Sequence, residues 1–185
     1  MFRRVLAHRW FCLALVLAPV VAFAQIPAAS REAPPGLRAL DEVLAYLIGD
    51  WVEVGDAPGE PARHFTFERA LDGHAVVRRS RTAHAATMDR PARVHEDLML
   101  IYPEGGQLRA TLVDSEGQVL HYATGFVHGT GVVTFTSQPA GAQPRYRVTY
   151  TPLGARRVGL AIEIALPEMP GTFRPYRKAV ALRAK

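Results

Sequence analysis

Residues 64–82 read HFTFERALDGHAVVRRSRT, and their pattern decides the fold. Two runs of β-forming residues flank Asp72-Gly73, the dipeptide that best fits a two-residue hairpin turn because both of its positions need positive φ. A two-residue turn pairs Leu71 with His74, Arg69 with Val76 and Phe67 with Arg78. If Phe65 and Phe67 face inward, Arg69 and Arg78 face inward with them.

The same pattern continues to the C-terminus. Strands are expected at 51–54, 64–71, 74–82, 97–102, 107–113, 118–126, 132–137, 145–151, 157–166 and 176–184, with PEGG, DSEG, HGTG and PLGA among the turns. Ten strands joined mostly by short links are sequential and antiparallel. Short links leave little room for Greek-key crossovers, so an up-and-down barrel is expected rather than a sandwich, and closure also removes exposed strand edges. Upstream, GLRALDEVLAYLIGDW (36–51) places Leu37, Leu40, Leu44, Leu47 and Ile48 at helical spacing, with Gly49 ending the helix. The expectation is an all-β barrel of about ten strands with one N-terminal helix closing an end.

The 185-residue chain is 49% apolar, enough for a real core and too apolar for a disordered protein. Residues 1–24 have a basic start (Arg3, Arg4, Arg9), an apolar stretch from Trp10 to Val21, and Ala22-Phe23-Ala24. This is the pattern of a signal peptide cut after Ala24, which predicts a periplasmic or secreted product. Arg3-Arg4 leaves both general and twin-arginine export open. Residues 25–36 (QIPAASREAPPG) read as a tether, and 37–185 as a single barrel domain.

Without the leader, basic residues fall from 22 to 19 against 17 acids, a net charge of +2. A field that weak does not argue for nucleic acid or an anionic membrane as partner. No apolar run after Gln25 reaches transmembrane length. The single cysteine, Cys12, leaves with the leader, which excludes disulfides, thiolate metal sites and a cysteine nucleophile in the product.

The helix followed by Gly49-Asp50-Trp51 at the first strand resembles the G-x-W motif of the calycin superfamily, which includes the lipocalins. FERALDGHAVVRR, LMLIYPEGG and LVDSEG are also similar to small bacterial lipocalin-like families. The resemblance covers about Leu40 to Lys185. It implies that Trp51 sits at the closed end of the barrel under a basic residue of the last strand, Arg183 or, failing that, Arg177. The haem-binding barrels of the nitrobindin type use a histidine near the C-terminus, whereas no histidine follows His128 here.

A barrel of eight to ten strands can hold one small ligand. An inward Arg69 or Arg78 among phenylalanines would anchor a carboxylate, or else would pair with an acid such as Glu68 or lie at the rim. On 118–126, Leu120, Tyr122, Thr124 and Phe126 form the expected inner face, with Tyr122 offering a hydroxyl. On 157–166, Val158, Leu160, Ile162, Ile164 and Leu166 form an apolar face opposite Glu163. His95 and Asp97 share a strand face, but no zinc-type histidine spacing occurs, and no serine lies in a nucleophile elbow. Long connections at 83–94 and 167–175 bring Met88, Met169 and Phe173 toward a barrel mouth.

The primary expectation is reversible binding of a small apolar or amphiphilic, carboxylate-bearing molecule. Phe65, Phe67, Arg69, Arg78, Tyr122, Phe126 and Ile162 are the candidate binding residues, with Trp51 and Arg183 closing the barrel. No cofactor is predicted. The alternatives are a protein-interaction module of the cell envelope with a filled barrel, and a small calycin-type enzyme or haem or metal binder.

Overall fold

The computed structural model describes residues 35–54 and 63–184. Residues 1–34, on which the expected leader and most of the expected tether fall, lie outside the described residues. Helix α1 (Pro35–Leu44) is followed by ten strands: β1 (Gly49–Val54), β2 (Arg63–Ala70), β3 (Ala75–His84), β4 (Arg93–Glu104), β5 (Gln107–Asp114), β6 (Val119–Val127), β7 (Val132–Ser137), β8 (Arg145–Pro152), β9 (Arg157–Ala165) and β10 (Arg174–Arg183). Each strand pairs antiparallel with its sequence neighbour, and β1 pairs with β10 to close the barrel. The up-and-down barrel expected from the turn pattern is therefore the architecture.

Some boundaries differ from the sequence reading. The helix begins at Pro35, inside the expected tether, and the α-helical part stops at Leu44 rather than running to Ile48. Proline is well placed there, since the first helical residue needs no amide donor. Strands β3 and β4 extend to His84 and from Arg93, so the connection between them is shorter than 83–94, and it is pinched by a Thr87–Arg90 bridge.

The hairpin register is as expected: Arg69 pairs with Val76 and Phe67 with Arg78. Asp72 has φ 52° and ψ 36° and Gly73 has φ 84°, values of a type I′ turn, and the His74 amide donates to the Leu71 carbonyl at 3.0 Å. Directly opposed residues share a face, so this register carries the inside–outside assignment around the barrel.

Odd-numbered strands run away from the helix and even-numbered strands return to it. Helix α1 lies against β4 and β5 and buries Leu40, Val43 and Leu44, with Leu47 following in the turn. Above it Trp51, Phe65, Phe67, Phe135 and Tyr150 are each under 2% exposed. Their ring centroids are 5.5–6.3 Å apart, mostly edge to face. These rings and the helix side chains form a packed layer across the barrel, and a pocket of about 260 Å³ remains at the helix end beside Val43, Leu108, Thr124 and Phe126.

Candidate functional site

Gly49, Trp51 and Arg183 form the closed end. The Arg183 guanidinium lies 4.4 Å from the centre of the Trp51 ring and donates to the carbonyls of Ile48 (2.6 Å) and Tyr46 (2.8 Å). The Trp51 indole N–H donates to the Leu47 carbonyl at 2.7 Å. The basic residue over the tryptophan is Arg183, not Arg177.

The half away from the helix is different. Inward-facing Leu112, Tyr146, Val148, Ile162 and Ile164, on β5, β8 and β9, are only half-buried. Facing them from the other strands is a charged cluster. Arg78 is buried and ion-pairs with Asp97 of β4 through a hydrogen bond. Glu53 of β1 has a side chain 1% exposed, between Arg177 of β10 (2.7 Å) and Arg63 of β2 (3.8 Å).

This cluster sets three guanidiniums against two carboxylates. Among the described residues it is not saturated: neither Glu53 carboxylate oxygen, nor Arg63 Nε, Arg78 Nε, Arg177 Nη1, Thr82 Oγ1 or the Tyr150 hydroxyl has a well-aligned hydrogen-bond partner there. Buried polar atoms are nearly always paired in folded proteins, so a concentration of orphans marks a place with free recognition capacity. Burial pushes the Glu53 carboxyl above the usual range, outweighing the attraction of Arg63, Arg177 and Arg78. It lowers the Arg63 guanidinium below its usual value, although Glu53 opposes the shift. Burial also raises the Tyr122 and Tyr150 hydroxyls, so both remain neutral donors at physiological pH.

The expected site residues separate into three groups. Arg78, Tyr122 and Ile162 face the half-open interior, Ile162 opposite both Val148 and Arg177 in the register. Phe65 and Phe67 belong to the aromatic floor beneath it, where Phe65 also takes the Arg78 guanidinium at 5.7 Å from its ring centre. Arg69 and Phe126 lie elsewhere. Arg69 is on the inward face but at the helix end, where it is exposed and pairs with Asp41 of α1. Phe126, also at that end, packs edge to face on His128 with centroids 4.9 Å apart. Alternation identifies a residue's face, and height along the barrel axis decides whether that face meets a ligand.

The sequence reading does not single out Glu53, Arg63, Thr82 or Tyr150, and it weighs Arg177 only as a cover for Trp51 and Asp97 only beside His95. Their signal was available in the alternation: Glu53 is two residues from Trp51, Arg63 two from Phe65, and Arg177, Ala179, Ala181 and Arg183 share one face of β10. His95 and Asp97 do share an inward face, but Asp97 is committed to Arg78 and His95 lies 3.5 Å from Glu116. Glu163 is on the outer wall, 3.5 Å from Arg147.

Phe173 does not reach the mouth: it packs on the outer wall with Arg147 at 3.8 Å and Arg145 at 5.4 Å from its ring centre. Arg145 also donates to the Pro170 carbonyl at 2.7 Å, strapping the β9–β10 connection down. A groove of about 590 Å³ lies mainly on the outer wall of β2–β5, where exposed ion pairs such as Arg81–Glu96 neighbour Leu98 and Val113. Among the described residues, no helix is long and apolar enough to cross a membrane.

No family model matches the chain, and no curated protein matches it.

Proposed function

We propose that this protein is an exported, lipocalin-like barrel that reversibly binds one small amphiphilic molecule in the half of the barrel remote from α1. The observation that carries this reading is the contrast between the two halves. The aromatic side chains Trp51, Phe65, Phe67, Phe135 and Tyr150 are sealed, while Leu112, Tyr146, Val148, Ile162 and Ile164 beyond them stay half-buried opposite a cluster of under-used guanidiniums. An acyl chain or ring on the β5–β8–β9 side would gain about 25 cal/mol for each Å² removed from water. Its head would lie against Arg63, Arg78 and Arg177, with the neutral Tyr122 hydroxyl adding a donor.

The helix, the Gly49-Asp50-Trp51 motif and Arg183 stacked over Trp51 support placing the chain near the calycins. The basic start, apolar stretch and Ala22-Phe23-Ala24 of residues 1–24 support export to the periplasm or beyond.

A second reading, an envelope interaction module, rests on a different observation. Leu98, Val113 and Val119 form an outward cross-strand row, 37%, 46% and 48% exposed. Titration with decanoate separates the two. The binding reading expects one site per chain, lost in Ile162→Trp, which fills the interior while leaving the outer row intact. Saturable binding that Ile162→Trp leaves unchanged would contradict it.

A further inference from the structure

The most unusual group in the molecule is Glu53. It is a carboxylate on the inner wall, 1% exposed, set between two arginines, and its oxygens are orphaned even though Arg177 Nη2 is 2.7 Å away. A structural ion pair at that depth would be expected to satisfy its lone pairs, since removing a carboxylate from water costs several kcal/mol that only good geometry returns. Arg78 and Asp97, side by side in the same interior, do form such a hydrogen-bonded pair. Glu53 is therefore held chiefly by Arg177, at 2.7 Å and too poorly aligned to saturate its oxygens, in the position that the anionic head of a ligand would take.

We infer that Glu53 is a built-in competitor for the ligand's anionic head: the incoming anion takes over Arg63 and Arg177, and Glu53 takes up a proton from solvent as it is displaced. This inference rests on the binding reading above and specifies how that site is regulated. The cluster of Arg63, Arg78, Arg177, Glu53 and Asp97 carries three guanidiniums and two carboxylates, one net positive charge, with Asp114 opposite Asp97 and Arg174 opposite Ile164 on the same inner face. An entering monoanion neutralises it, and protonating Glu53 restores the excess. The groups around Glu53 are Arg63 from β2, Arg78 from β3, Asp97 and His95 from β4, Tyr150 from β8 and Arg177 from β10. Asp97 remains paired with Arg78, so Glu53 is the carboxylate free to exchange. Protonation of Glu53 frees the two arginines, so anion affinity rises as pH falls, by up to about tenfold per pH unit where one proton is taken up.

The test is calorimetric titration of the purified protein with decanesulfonate, which stays ionised throughout, and with decanol as the neutral counterpart, between pH 8 and pH 5. Buffers of different ionisation enthalpy report proton uptake in the unmutated protein, so the test does not depend on a variant folding. The expected result is decanesulfonate binding that tightens as pH falls with uptake of up to one proton, and decanol binding that is insensitive to pH. In Glu53→Gln, decanesulfonate is expected to bind at least about tenfold more tightly at pH 8, without proton uptake. Binding of both compounds with no proton uptake, or a pH dependence that survives in Glu53→Gln and so belongs to His95, would overturn the inference while leaving the binding reading standing. Failure of both compounds to bind either form would overturn both. Binding of decanesulfonate by Glu53→Gln alone would support the competitor role in its strongest form.

Discussion

The Arg183 guanidinium covers the Trp51 ring at 4.4 Å and at the same time caps the Tyr46 and Ile48 carbonyls, joining the last strand, the first strand and the helix turn in one contact. A stacked cation contributes about 0.5–2 kcal/mol, and each carbonyl it satisfies adds about 1 kcal/mol or more. Arg183→Met is therefore expected to destabilise the fold by about 2–4 kcal/mol in urea unfolding. A loss below about 0.5 kcal/mol would show that the contact is ornamental.

Gly49 is fitted to that arginine. Its φ is +124°, and a Cβ there would lie 2.4 Å from Arg183 Nη1. Gly49→Ala should cost about 2–3 kcal/mol, from backbone strain and the displaced guanidinium together. In the Arg183→Met background only the strain remains, so the two costs should fall short of additivity by about 1 kcal/mol or more.

The β2–β3 turn stores a smaller strain. Leu71 has φ +52° and is 71% exposed, so a leucine stands where the backbone favours glycine or asparagine. Leu71→Gly is expected to raise stability by about 0.5–1 kcal/mol, whereas Gly73→Ala should lower it by about 1 kcal/mol. Equal effects of the two, measured by thermal unfolding, would contradict the turn geometry.

Arg78 and Asp97 are a buried, hydrogen-bonded pair. Arg78→Met leaves an uncompensated carboxylate and should cost about 3–5 kcal/mol, and Arg78→Met combined with Asp97→Leu should recover most of it. A double variant no more stable than Arg78→Met would show that the pair does not act as a unit.

These relationships were unevenly visible in the chain. Asp72-Gly73 and the alternation around it define the hairpin register, and short turns of the same kind extend it around the barrel, which is why the closed architecture was legible. The half-open interior was not. Arg69 and Arg78 share a face of one hairpin, Arg69 one inward pair nearer the turn, yet Arg69 meets α1 at the rim while Arg78 meets Asp97 inside. That difference depends on where the helix packs, a long-range fact that period-2 patterning does not encode. Glu53 is hard to single out because the expected strand, 51–54, has only four residues, too few positions to weigh its inner face.

Glu53 also makes stability depend on pH with an uncommon sign. Its carboxyl titrates above the usual range in the folded protein, chiefly through burial, so folding takes up a proton between the ordinary carboxyl range and the raised value. That contribution is complete below the ordinary carboxyl range and is lost as pH climbs through the interval. Relative to the unmutated protein, Glu53→Gln should therefore gain stability as pH rises from 4 to 8. A difference constant with pH would place the Glu53 carboxyl in the ordinary range.

The central claim is that the remote half of the barrel holds a small amphiphile. Native mass spectrometry of the protein purified from an exporting host, before and after solvent extraction, tests it most directly. One discrete extra mass per chain that extraction releases is expected, followed by rebinding of decanoate to the extracted protein. A protein that is clean as isolated and stays clean after incubation with decanoate and lipid extract would contradict it.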